Sequence, residues 1–111
     1  MPNTDKLPTD PIPSRLVMED PSYADIVEPF IVGLKDRVEV MERALRANDF
    51  ETLRGAAHQL KGCGGGYGYP ELTDRATELE RHAGDAMLDE SRDALAELKA
   101  LCARVVTRID E

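Results

Sequence analysis

Apolar residues in this chain recur every three or four positions, and no segment alternates with the period of two that a half-buried strand requires. Phe30, Ile31, Leu34, Val38, Met41 and Leu45 trace one face of a helix predicted to end near Ala47. Leu53, Ala56, Ala57, Leu60 and Gly64 trace a second, ending near Tyr67 with Gly68 as its stop. Leu72, Ala76, Leu79 and Ala83 trace a third, opened by Pro70 and closed by Gly84. Leu95, Leu98, Cys102, Val105 and Ile109, widened by Ala94 and Leu101, trace a fourth.

Helix starts are read from capping residues. Asp20-Pro21 offers a capping acid followed by proline, predicting a short helix through about Glu28. Pro29 then either begins the next helix or kinks a longer one. Asn48 with Glu51 resembles a capping box, and Asp89 is a candidate cap for the last helix. Four amphipathic helices with short connections predict an all-α fold, an antiparallel four-helix bundle with a short additional N-terminal helix, over residues 20–111. Residues 1–19, with Pro2, Pro8, Pro11 and Pro13, read as a Pro-rich tail or arm, within which Ile12, Leu16 and Val17 are candidates for docking.

Composition narrows the function. With 111 residues the chain fits one domain that needs neither disulfide nor metal to fold. Only 5% of residues are aromatic, so Leu, Val, Ile, Met and Ala must build the core. A net charge of −8 argues against nucleic-acid partners and anionic membranes. No apolar run is long enough to span a bilayer and no signal-peptide core is present, so a cytoplasmic protein is expected. Cys63 and Cys102 lack zinc spacing and read as buried, reduced thiols. No metal site is expected, and the acids Glu78, Glu80, Asp85, Asp89 and Glu90 read as a solvated face.

The stretch Ala57-His58-Gln59-Leu60-Lys61-Gly62 offers the best site for chemistry. With Leu53 at the centre of the buried stripe, an advance of about 100° per residue places His58 at roughly 140°, toward solvent. Arg54, Lys61, Gly62 and Gly65 fall within about 60° of it. Imidazole is largely unprotonated near neutral pH and so is a nucleophile there. If it attacked a phosphoryl group, Lys61 and Arg54 would stabilise the anionic oxygens. Gly62 and Gly65 would let a partner close over the ring. Gly62, Gly64, Gly65 and Gly66 are read as helix-interior, at a combined cost of roughly 3–4 kcal/mol, which implies a steric need. Gly64 faces the core and suits close helix packing. His82, beside many acids near a helix end, reads as a surface residue.

These residues resemble the histidine-containing phosphotransfer (HPt) family, whose motif is roughly His-x-x-Lys-Gly, small residues, and a glycine ten positions after the histidine. Here those positions are His58, Lys61, Gly62 and Gly68, with Leu60 apolar as usual. The run Gly64-Gly65-Gly66 is richer in glycine than the pattern requires. The resemblance implies a four-helix bundle with His58 as phosphoacceptor, exchanging a phosphoryl group with aspartyl phosphates of receiver domains. It implies that Lys61 supports the phosphoryl group, that Gln59 orients or contacts it, and that Gly62 gives clearance. Mg²⁺ would be supplied at the partner receiver site, with no cofactor bound by this chain. Partners would be response-regulator receiver domains, a hybrid sensor histidine kinase, or both.

No kinase ATP-binding segment is visible, so a phosphocarrier and not an enzyme is expected. The Met1 start and Pro-rich tail favour a separate small protein, and one bundle able to bury its own apolar faces predicts a monomer. Ile26, Val27, Phe30 and Ile31 are candidates for an apolar docking patch. The alternative function is a non-phosphorylated adaptor bundle that binds a receiver or kinase. A hydrolase using His58 as base is disfavoured, because no partner acid or oxyanion site can be named.

Overall fold

A computed structural model describes residues 10–108. Within them the chain is all-helical: α1 (Arg15–Glu19), α2 (Ala24–Arg46), α3 (Phe50–Gly64), α4 (Pro70–Gly84) and α5 (Leu88–Cys102). Short 3-10 turns at Pro21–Tyr23 and Gly65–Tyr67 lead into α2 and out of α3. Helix α3 packs on α2 and α4, and α5 packs on the same two helices, so the four long elements enclose one core.

Helix α2 buries Phe30, Leu34, Val38 and Met41 of the stepping read from the sequence, together with Val27 and Ala44, while Ile31 and Leu45 pack partly buried against the core. The separate short helix over residues 20–28 does not form. Asp20 caps the 3-10 turn by accepting from Ser22 N (3.0 Å), and α2 then runs unbroken through Pro29. Pro29 lies early in the helix and is exposed, as is Asp25, whose carbonyl loses its helical donor to the ring. Water can replace that donor.

Three other boundaries move. Asn48 adopts φ 55°, the left-handed turn that ends α2, so Asp49 caps α3 by accepting from Thr52 N (3.1 Å). Ala86, also at φ 55°, makes the turn before α5. Met87 then takes the capping position, and Asp89 lies in the first turn, paired with Arg92 at 3.1 Å. Helix α5 stops at Cys102 instead of carrying the seam to Ile109, which lies outside the described residues.

The reason is the arm. Ile12 N donates to Arg104 O (2.8 Å) and Val106 N to Ile12 O (3.0 Å), a single parallel bridge that buries Ile12 against Val105. Ser14 is buried, caps α1, and donates its hydroxyl to Tyr67 O (2.7 Å). Residues 10–19 therefore lie against the bundle as an arm, not as an extended tail. Residues 1–9 lie outside the described span.

Two glycines serve this packing. A Cβ on Gly64 would lie 2.9 Å from Leu72 Cβ, so its bare backbone lets α3 and α4 close together. Gly68 turns the chain at φ 95°, where a Cβ would strike Ser14 and the backbone of α1. The glycine run is not all helix-interior. Gly65 and Gly66 sit in the 3-10 turn, which reduces the helix cost inferred from sequence. Thr73 shapes that turn: its hydroxyl accepts from Gly65 N (2.9 Å) and donates to Lys61 O (3.0 Å), entering the helical ladder between them. Tyr69 is buried beside it, stacks near Phe30, and donates to Val106 O (2.6 Å); burial pushes its hydroxyl up to about 12.

Candidate functional site

His58 sits on the outer face of α3 with 63% of its side chain exposed. Its ring is nevertheless held. Nδ1 lies 2.9 Å from Glu80 Oε2 on α4, and the other carboxylate oxygen, Oε1, lies 2.7 Å from Lys61 Nζ. One carboxylate thus clamps two side chains that stand one turn apart on α3. The Lys61 hydrogen bond, aided by His58, holds the Glu80 carboxyl below the usual carboxylate range. An ionised carboxylate only accepts. Nδ1 must therefore carry the hydrogen, which leaves the lone pair of the neutral ring on Nε2. The site is an exposed imidazole in a fixed tautomer with its nucleophilic nitrogen free.

Glu80 is the residue that sequence reasoning missed, having been counted with the solvated acids. A signal was available. His58 and Glu80 lie eleven residues either side of Tyr69, so a reversal of the chain at the Gly68 turn sets them opposite each other.

The other candidates are brought to the site unequally. Lys61 is close but engaged by Glu80. Arg54 is exposed one turn before His58, with its Cδ 3.4 Å from where a Cβ of Gly84 would stand. Gln59 is exposed but turned about 100° from His58, on the side away from Lys61. A Cβ on Gly62 would meet nothing within 4 Å, and one on Gly65 would meet only Thr73 Oγ1. Gly55, not singled out from sequence, is equally open. Gly55 and Gly62 flank His58 at the three- and four-residue spacing of one helix face, so the ring stands on bare backbone.

The apolar patch is corrected. Val27 and Phe30 are core residues, and Ile31 packs against the core. Of the four candidates Ile26 is the exposed one, at 53%, with Met18 and Tyr23 exposed nearby in sequence. Both cysteines are free and half-buried, and burial pushes the Cys102 thiol up to about 11.

The family model of the Hpt domain matches residues 25–108, which contain α3 through α5, all of α2 but its first residue, and every residue of the clamp. The chain belongs to the Hpt domain family. Hpt domains are helical bundles that carry phosphoryl groups in two-component signalling and are phosphocarriers, not enzymes. The family implies interaction with receiver domains or kinases of phosphorelays. No curated protein and no solved structure matches the chain. Among the described residues of this Hpt domain, no helix is long and apolar enough to cross a membrane.

Proposed function

We propose that this Hpt domain is a cytoplasmic phosphorelay carrier, folded as an antiparallel four-helix bundle, in which His58 takes a phosphoryl group from the aspartyl phosphate of one receiver and gives it to another. The observation that carries this reading is the His58–Glu80 hydrogen bond on an exposed helix face. It commits Nδ1 and leaves Nε2 as the nucleophile.

The step balances without an acid or base from this chain. The Nε2 lone pair attacks phosphorus, the bond from phosphorus to the aspartyl oxygen breaks, and the receiver carboxylate leaves with the electron pair. The Nδ1 hydrogen stays in place. The ring becomes a phospho-imidazolium whose positive charge is shared with the Glu80 carboxylate. Hydrogen bonds to charged groups contribute about 1.5–3 kcal/mol, which corresponds to roughly 10- to 100-fold in rate if realised in the transition state. Return of the phosphoryl group to a second receiver is the same step reversed. Mg²⁺ belongs to the receiver's own site.

Lys61 keeps Glu80 ionised and in position. Gly62 and Gly65, with Gly55, leave space for a receiver to close over the ring. Gln59, on the far flank of His58, is placed to contact the receiver.

The test mixes the chain with receiver domains pre-phosphorylated with labelled phosphate in the presence of Mg²⁺. Acid-labile label should appear on the wild type, be absent from His58→Gln, and appear roughly 10- to 100-fold more slowly on Glu80→Gln. If receivers bind but pass no label, the adaptor reading replaces this one.

A further inference from the structure

The clamp leaves a charge problem. Glu80 and Lys61 cancel, so His58 stands beside a pair of no net charge. A phosphoryl group on Nε2 would bring about −1.5 to −2 at neutral pH, close to the Glu80 carboxylate. The phospho-imidazolium ring offsets one unit of that charge and Lys61 is already matched by Glu80, so a net negative charge is left on the phosphoryl oxygens for a further cation to meet.

Arg54 meets the requirement. It precedes His58 by four residues on α3, a spacing at which Cβ atoms stand about 5–6 Å apart. It lies on the α4 side of the helix: its Cδ is the one atom that a Cβ on Gly84 would meet within 4 Å, at 3.4 Å. Gly84 stands one turn beyond Glu80 on α4, so the arginine stem rests on bare backbone immediately beside the clamp. No ion pair engages Arg54 among the described residues, although the chain has 22 acids to 14 Lys and Arg. Arg81, the other exposed arginine close to Glu80 in sequence, is turned about 100° away from it around α4.

We propose that Arg54 is the phosphoryl-binding cation of this site: its guanidinium takes the oxygens of the group carried on His58, while Lys61 remains with Glu80. The inference rests on the phosphotransfer reading above and divides labour between the two cations that the helix wheel places beside His58. The planar guanidinium suits two phosphoryl oxygens at once, which an ammonium does not.

The test compares Arg54→Ala, Arg54→Lys and Arg81→Ala with the wild type, using a labelled receiver phosphate as donor. Arg54→Ala should accept label about 10- to 100-fold more slowly, Arg54→Lys should recover part of the loss, and Arg81→Ala should stay within about twofold of wild type. A ³¹P NMR titration of the phosphorylated proteins reads the contact directly. Loss of the guanidinium should raise the second phosphoryl pKa in Arg54→Ala and leave it unmoved in Arg81→Ala. Wild-type transfer with a wild-type phosphoryl pKa in Arg54→Ala, or an equal loss in Arg81→Ala, overturns the inference and leaves the carrier reading standing. A wild type that accepts no label from any receiver removes the carrier reading itself.

Discussion

Glycines along and just beyond α3 meet two opposite surroundings. Toward α4 and the arm, Gly64 and Gly68 are boxed in: added carbons would press on Leu72, Thr73, Ser14 and the start of α1. Around His58, Gly55 and Gly62 have nothing within 4 Å of an added carbon. Each glycine inside a helix costs about 0.8–1 kcal/mol relative to alanine. On the packed side the neighbours compensate for that cost. On the open side nothing within the described residues does, which supports placing the compensation outside the chain, in a partner that must come close to His58.

Substitutions break or sharpen this contrast in order of size. Gly68→Ala should be the most damaging, losing about 2–4 kcal/mol from a strained positive φ and a clash with the arm. Thermal melts would show it, and an unchanged Tm would mean that the arm is not seated as described. Gly64→Ala should cost about 1–3 kcal/mol by separating α3 from α4. Gly62→Ala should have the opposite sign, gaining about 0.5–1 kcal/mol, or a few °C in Tm, while slowing phosphotransfer. Destabilisation at Gly62, or faster transfer, would erase the distinction between the two sides.

The smallest effect concerns the clamp. Glu80 has its folded carboxyl lowered, so its stabilising contribution is complete above the unfolded value of about 4.3 and is lost as pH falls through the lower folded value. An exposed ion pair is worth about 0–1 kcal/mol. Between about pH 5 and 3 the wild type should therefore lose slightly more stability than Glu80→Gln, measured by denaturant titration at each pH. Parallel losses would show that the clamp adds nothing to the fold.

The contrast also shows what could be read in advance. The apolar stepping of α2 and α4 was legible because each helix buries one face, and period alone identifies it. His58 was legible as an exposed position outside the α3 stripe of Leu53, Ala57 and Leu60. The caps at Asp49 and Met87 were not, because each follows directly on a left-handed residue, Asn48 and Ala86. The pairing of Ile12 with Val105 joins residues that no local pattern connects. Glu80 could have been reached from its symmetric spacing about Tyr69, whereas the approach of Arg54 to Gly84 needs the exact register of α3 against α4, which Gly64, Gly68 and Thr73 set together.

Glu80 fixes His58 with its Nδ1 protonated and Nε2 free to take the phosphoryl group in the proposed carrier. Long-range ¹H–¹⁵N NMR of the His58 ring, before and after phosphorylation by a receiver, tests it most directly. The ring is expected to be neutral and protonated on Nδ1 beforehand, with phosphorus bonded to Nε2 afterwards. A neutral ring protonated on Nε2, or phosphorus on Nδ1 or on any other side chain, would contradict this expectation.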